Sequence, residues 1–245
     1  MDATKAALVT GGTAGIGLAT AQALAAEGRR VYVTGRSADR LKEATDAGLI
    51  GIPSDMATAE GIRAVVERIA ADGVLLDVLV ANAGTAGPTV LGQTDEAGFD
   101  RIFDLNVRSL FFTVQSLLPY MADGASIVLI GSILSIKGTA NYSVYSASKA
   151  AVRSFARSWA NDLRDRRIRV NTVSPGPVVT PLTYELHGSS ENAMAATRER
   201  IGQTTPAGRI AEPGDIASVV RFLASSEAAY VNGIEMFVDG GGAQI

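Results

Sequence analysis

The sequence predicts an α/β fold: a doubly wound sheet of about seven parallel strands with helices on both faces. Three observations carry this. Short apolar runs of strand type alternate with stretches of helical spacing along the chain. The first such run leads into a glycine turn and then a helix, the setting in which a glycine motif holds nucleotide phosphates. Polar, chemistry-bearing residues fall at or just after the ends of the strand-like runs, where a parallel α/β sheet binds its ligands.

Strands are expected at 6–10, 30–34, 49–53, 76–81, 125–131, 167–173 and 234–238, and helices near 15–27, 38–47, 58–71, 100–121, 144–165 and 213–225. The first strand is the apolar run Ala6-Ala-Leu-Val-Thr10. It enters Gly11-Gly-Thr-Ala-Gly15-Ile16-Gly17, and Leu18 to Glu27 then place apolar residues at helical spacing. Gly11 permits a tight turn, Gly15 lets the backbone approach a pyrophosphate, and Gly17 lets the helix pack closely on the sheet. The helix N-terminus faces the phosphates.

The second strand, Arg30-Val-Tyr-Val-Thr34, ends in Gly35-Arg36. An NAD site places an acid here, about twenty residues after the glycine loop, to accept from the ribose 2′-hydroxyl. Gly35 takes that place, and the Arg36 guanidinium beside it can engage a 2′-phosphate through charge-assisted bonds. NADP(H) is therefore the favoured cofactor, with NAD(H) the alternative. Asp55 and Met56 follow the third strand.

The fourth strand, Asp77-Val-Leu-Val-Ala81, ends in Asn82-Ala83-Gly84, small residues against which a cofactor can lie. Asn82 is also expected to brace neighbouring strands. Asn106 interrupts the apolar stretch Leu105-Asn-Val-Arg-Ser-Leu-Phe-Phe. A buried amide there needs a partner, and asparagine breaks a helix more readily than it supports one. Ser126-Ile-Val-Leu-Ile-Gly131 makes the fifth strand, and Ser132 ends it.

The chemistry converges on Tyr145-Ser-Ala-Ser-Lys149, with Ser132 thirteen residues before the tyrosine. Tyrosine and lysine four residues apart share one helix face. Free tyrosine titrates near pH 10, about three units from neutrality. An ammonium about 4 Å away, at an effective dielectric of about 20, contributes roughly 4 kcal/mol, enough to close that gap. Ser132 adds a hydroxyl for a substrate oxygen. The three can move a proton on and off an alcohol or carbonyl oxygen, but they cannot hold a hydride, so a redox cofactor is required.

These motifs together resemble the short-chain dehydrogenase/reductase family over essentially the whole chain. The phosphate loop Thr-Gly-x-x-x-Gly-x-Gly corresponds to Thr10 through Gly17, and the Asn-Ala-Gly motif to Asn82, Ala83 and Gly84. The catalytic tetrad falls on Asn106, Ser132, Tyr145 and Lys149. The Pro-Gly motif after the sixth strand is Pro175-Gly176, with Thr180 following. The resemblance implies a single Rossmann-type domain over 1–245 and a ketone or carbonyl interconverted with a secondary alcohol by NADP(H)-dependent hydride transfer. It implies that Lys149 also binds the nicotinamide ribose, that Asp55 meets the adenine amino group, and that Asn106 holds a helix irregularity supporting a proton relay. It further implies a homo-oligomer, a tetramer or dimer, built across the Tyr145 helix, on which Phe155 and Trp159 lie one turn apart. Ala14, where some NADP-dependent relatives carry a second basic residue, keeps NAD(H) open. Rival readings are an NAD-dependent sugar or hydroxysteroid dehydrogenase and a cofactor-binding sensor without turnover.

Residues 181–207 read as a long connection of small and polar residues, a substrate loop or lid. Its apolar members Leu182, Tyr184, Leu186 and Met194, with Ile133 and Leu134, suggest an apolar pocket for an uncharged substrate. His187 reads as an exposed loop residue.

With 47% hydrophobic residues among 245, the chain can bury a sizeable core as one domain. The net charge of −3 is spread in both signs, unlike the basic stripe of a nucleic-acid binder. The cluster Arg164, Arg166, Arg167 and Arg169 reads as a solvated helix end. The absence of cysteine removes disulfides, thiol nucleophiles and thiolate metal sites, and one histidine excludes a polyhistidine metal site. No apolar run approaches membrane-spanning length and no signal segment is evident, so a cytoplasmic enzyme is expected and Asn141-Tyr-Ser143 reads as a chance sequon.

Overall fold

A computed structural model describes residues 5–188 and 190–243; Ser189 and both ends of the chain lie outside the described residues. Seven strands form one sheet in the order β3-β2-β1-β4-β5-β6-β7, every neighbouring pair parallel. They are β1 Ala6–Val9, β2 Arg30–Gly35, β3 Ile50–Pro53, β4 Leu76–Ala81, β5 Met121–Ile130, β6 Arg169–Pro175 and β7 Glu235–Val238. The order runs outward in both directions from the β1–β4 pair, so a crevice opens beyond the carboxyl ends of these two strands.

Alternate residues of each strand feed two separate cores. Leu8, Leu79, Ile127 and Leu129 pack with Val65, Ile69, Val114 and Val152 on one face. Val9, Val80, Val128 and Ile130 pack with Leu24, Ile216, Val220 and Leu223 on the other. Helices α1 Gly15–Ala25 and α9 Pro213–Ala224 cover the second face. The first is covered by α3 Ala59–Ala71, α5 Leu110–Leu117 and α6 Ser143–Asp162, and the short α2 Ala38–Asp46 flanks β3. Burial on both faces explains why the strands read as continuous apolar runs rather than alternating ones.

Three element boundaries differ from the sequence reading, each for a visible reason. The helix expected over 100–121 is broken. Asp95 caps α4 Glu96–Phe103 by accepting from the Gly98 N–H at 2.8 Å. A π turn then spans Asp104–Ser109, α5 follows, and a 3-10 turn with Pro119 ends it before β5 starts at Met121. β6 starts at Arg169 because Arg167 takes a left-handed conformation, φ 54°, after the turn Arg164–Arg166. Most of the supposed open connection 181–207 is helical. Thr180 caps α7 Pro181–His187 and Ser190 caps α8 Glu191–Thr204. Gly188, at φ 100°, supplies the break that the glycine and serines had suggested for the whole segment. Met194, Thr197 and Ile201, on one side of α8, are buried beneath it.

Candidate active site

The glycine loop is held from β4. Thr10 Oγ1 accepts the backbone N–H groups of Asn82 and Ala83, both at 3.0 Å. Asn82 Nδ2 returns the contact, donating to the carbonyls of Thr10 at 2.9 Å and Gly11 at 3.1 Å. A Cβ on Gly17 would stand 2.3 Å from the Gly11 carbonyl oxygen, so helix and turn can meet this closely only with glycine there. Gly11 and Gly15 both have positive φ, 61° and 51°. The resulting helix, α1, has neither a capping side chain nor an acid in its first turn, unlike α2, α3, α4, α7 and α8, which are each capped by a side chain. Its first N–H groups are thus open toward the crevice, an arrangement that fits a pyrophosphate.

A cavity of about 600 Å3 fills this crevice. Its wall includes Gly11, Gly15, Ile16 and Gly17; Asn82, Ala83 and Gly84; Ser132, Tyr145 and Lys149; and Pro175, Gly176 and Thr180. Thr10 and Asn106 stand behind the wall as braces. Arg36 is exposed at the end of β2, and Asp55 is exposed with its carboxylate accepting from the Ala57 N–H at 3.0 Å. Met56 is buried beside Asp55, and its carbonyl accepts from the Ser109 hydroxyl. These three residues follow β2 and β3, away from the cavity itself.

Ser132 is 8% exposed, and its hydroxyl accepts from the Leu134 N–H at 3.2 Å. Tyr145 and Lys149 project from one face of α6 as their spacing requires. The lysine is also anchored to the neighbouring strand. Its Nζ donates to the Ile130 carbonyl at 2.9 Å and lies 5.8 Å from the Tyr145 ring centroid. A buried ammonium needs an acceptor, and the end of β5 supplies the near one. Burial pulls Lys149 down to about 8. Burial pushes the Tyr145 hydroxyl above its ordinary value, against a smaller downward pull from Ser132. In this geometry desolvation governs the tyrosine, and the downward pull on it comes from the Ser132 hydroxyl.

The Asn106 amide is fully engaged. It exchanges two hydrogen bonds with the Thr85 backbone and donates to Ser148 Oγ at 3.0 Å, whose own proton goes to the Tyr145 carbonyl at 2.7 Å. The π turn, the segment after β4 and the Tyr145 helix therefore meet at one side chain.

Other residues emerged only in three dimensions. Glu235 on β7 has a side chain 6% exposed, and its Oε1 accepts from Ser135 at 2.5 Å and Ser174 at 2.7 Å. Its Oε2 lies 3.7 Å from Arg153 of α6. It thereby ties the turn after Ser132 to β6 and to the Tyr145 helix. His187 is exposed as expected but ends helix α7 on the cavity wall instead of lying in a loop; burial, and secondarily the charge of Arg200, hold its imidazole below its ordinary value. Lys137 and Arg200 line the same cavity, where an apolar pocket for an uncharged substrate was expected. Ile133, Leu134, Leu182 and Leu186 do line it, whereas Met194 packs beneath α8. The missed signal was the helical spacing of Met194, Thr197 and Ile201, which sets Arg200 beside a buried residue.

Among the described residues no cluster of side chains could hold a metal ion, and no helix is long and apolar enough to cross a membrane. A family model described as enoyl-(acyl carrier protein) reductase matches residues 11–242. The chain is 35% identical to a 3-oxoacyl-(acyl-carrier-protein) reductase of Thermotoga maritima, covering 97% of both chains. It is 35% identical to a cyclopentanol dehydrogenase of a Comamonas species, covering 97% of this chain and 96% of the other. A blue fluorescent protein from a metagenomic library, solved in complex with NADPH, superposes with a TM-score of 0.86 at 34% identity, over 98% of each chain.

Proposed function

The chain belongs to the short-chain dehydrogenase/reductase family of oxidoreductases, which bind NAD(P)(H), and from that premise we propose that it is an NADP(H)-dependent carbonyl reductase or secondary-alcohol dehydrogenase. The observation that carries this reading is that Ser132, Tyr145 and Lys149 open into the same cavity as the uncapped N-terminus of α1. When bound, the dinucleotide supplies or takes the hydride. The chain's own residues handle the proton. Ser132 Oγ holds the substrate oxygen, and Tyr145 Oη gives up its proton in reduction or takes one in oxidation. Lys149 provides the adjacent positive charge, and Asn106 fixes the backbone behind it. The Asn82–Thr10 clamp holds the loop that faces the phosphates, Asp55 and Met56 meet the adenine, and Arg36 reads the 2′-phosphate. Helices α7 and α8 form the lid over the substrate.

A half-exposed aromatic strip supports a homo-oligomer. Phe155 and Trp159 stack at 4.8 Å on α6, with Phe111 against both, and Phe112 beside them is 40% exposed.

The direct test is oxidation of NADPH across a panel of ketones by wild type and Tyr145→Phe. The variant should keep its fold and its NADPH affinity and lose about a hundredfold or more in turnover, the usual contribution of a positioned acid. Turnover within tenfold of wild type would remove Tyr145 from the chemistry.

A further inference from the structure

Away from the glycine loop the cavity wall carries both apolar and basic side chains. Ile133, Leu134, Leu182 and Leu186 form the apolar part, close in sequence to Ser132 on one side and to Thr180 on the other. Lys137, His187 and Arg200 stand among them, and no aspartate or glutamate lines the cavity among the described residues. The guanidinium of Arg200 has no hydrogen-bond or ion-pair partner among the described residues. Its neighbours one turn away on α8 are Ala196, Thr197, Gln203 and Thr204, none of them acidic. The Lys137 Nζ donates once, to the Gly242 carbonyl at 2.8 Å, and keeps two further donors. These charges are not needed to hold a dinucleotide pyrophosphate, for which the open N–H groups of α1 already provide.

We propose that the substrate is a carboxylate-bearing ketone or secondary alcohol, its oxygen at Ser132 and Tyr145 and its carboxylate at Arg200 and Lys137, with the apolar wall spanning the carbons between. This rests on the reductase reading above and adds the substrate class to it. A guanidinium engages a carboxylate through two parallel N–H bonds, which fixes orientation as well as adding affinity. The acid-free wall leaves nothing to repel the anion. His187, whose imidazole burial and Arg200 hold below its ordinary value, adds a hydrogen-bond donor.

The test compares keto acids of increasing chain length with their methyl esters, which keep the ketone and remove the charge. Each is measured as kcat/KM at saturating NADPH, in wild type, Arg200→Gln, Lys137→Gln and Arg200→Lys. Wild type should prefer the acid at one chain length, and Arg200→Gln should cut the acid-over-ester ratio by roughly 10- to 150-fold, the loss of one charge-assisted bond. Lys137→Gln should lower the ratio less, and Arg200→Lys should restore part of it, which separates lost charge from lost folding. Esters turned over as well as acids would overturn this proposal and leave the reductase reading standing. No turnover of either class would overturn both. A rise in the NADPH dissociation constant that accounts for the Arg200→Gln loss would assign the arginine to the dinucleotide and overturn the proposal as well.

Discussion

Asn106 and Thr85 hold each other twice: Asn106 Oδ1 accepts the Thr85 N–H at 2.8 Å, and Asn106 Nδ2 donates to the Thr85 carbonyl at 2.9 Å. One side chain thus mimics a strand partner for the segment that leaves β4. The π turn Asp104–Ser109 is what presents it there, on a side chain 1% exposed. From the same turn Ser109 reaches the Met56 carbonyl, so one helix irregularity supports both the tyrosine end and the opposite end of the crevice.

Asn106→Asp tests the bracket directly. A carboxylate can accept from Thr85 but cannot donate, which leaves the Thr85 carbonyl and Ser148 Oγ without their donor. The expected loss is about 1–3 kcal/mol, the cost of an unsatisfied buried group, read as a shift in urea midpoint at unchanged slope. A change under about 0.5 kcal/mol would show that the turn holds without the amide.

Lys149 sets a pH dependence whose sign follows from its burial. It titrates at about 8 in the folded protein against an ordinary 10.5. Between those values the unfolded chain binds a proton that the folded chain does not, so this group's contribution to stability rises with pH across that window. Below pH 8 the charged lysine costs about 3 kcal/mol, at about 1.4 kcal/mol per pKa unit. Lys149→Met should therefore be more stable than wild type at pH 7 by about 2 kcal/mol, after losing about 1 kcal/mol for the bond to Ile130. The gap should close towards pH 10.5. The value of kcat/KM for NADPH, which reports the free enzyme, should fall above about pH 8 as the ammonium discharges. A stability gap that does not change with pH would refute the assignment.

Cofactor choice is expected to respond to Arg36 but not to an acid at Gly35. Arg36→Ala should weaken NADPH binding by roughly 10- to 150-fold, the loss of a charge-assisted bond, and affect NADH much less. Gly35→Asp looks from sequence like the complementary change. The structure forbids it, because a Cβ there would stand 2.7 Å from both Thr13 Oγ1 and Thr13 Cγ2. Rotating the threonine exchanges one clash for the other. Gly35→Asp should lower the melting temperature without creating an NADH enzyme, whereas pairing it with Thr13→Gly should recover stability. Equal weakening of both dinucleotides by Arg36→Ala would show that the arginine does not read the phosphate.

Glu235 acts on the site through position rather than contact. Glu235→Leu leaves two serine hydroxyls without their acceptor and frees the partly exposed Arg153, and should cost about 1–3 kcal/mol, the cost of unsatisfied buried polar groups. Glu235→Gln keeps an acceptor for the serines and should cost less. If the carboxylate positions the turn carrying Ser132, kcat should drop in the leucine variant and recover in the glutamine one, with KM for NADPH little changed. Equal kcat in both variants would limit Glu235 to stability.

The alternation of strands with helices, and hence a parallel sheet, and the glycine turn are legible in the residues alone, because each is written in local spacing. Apolar runs, helical periods and the four-residue step from Tyr145 to Lys149 need only their own neighbourhood. What the sequence left open was decided by partners far along the chain. Asn106 meets a residue 21 positions away, and Glu235 meets serines 61 and 100 positions away. The Lys149 ammonium takes as its partner the Ile130 carbonyl, 19 positions away. His187 and Arg200 reach the cavity because α7 and α8 formed where a loop was expected, their caps at Thr180 and Ser190 outweighing a polar composition. Charge and hydrogen bonding act through space, and only the packed sheet brings such residues within a few ångströms of one another.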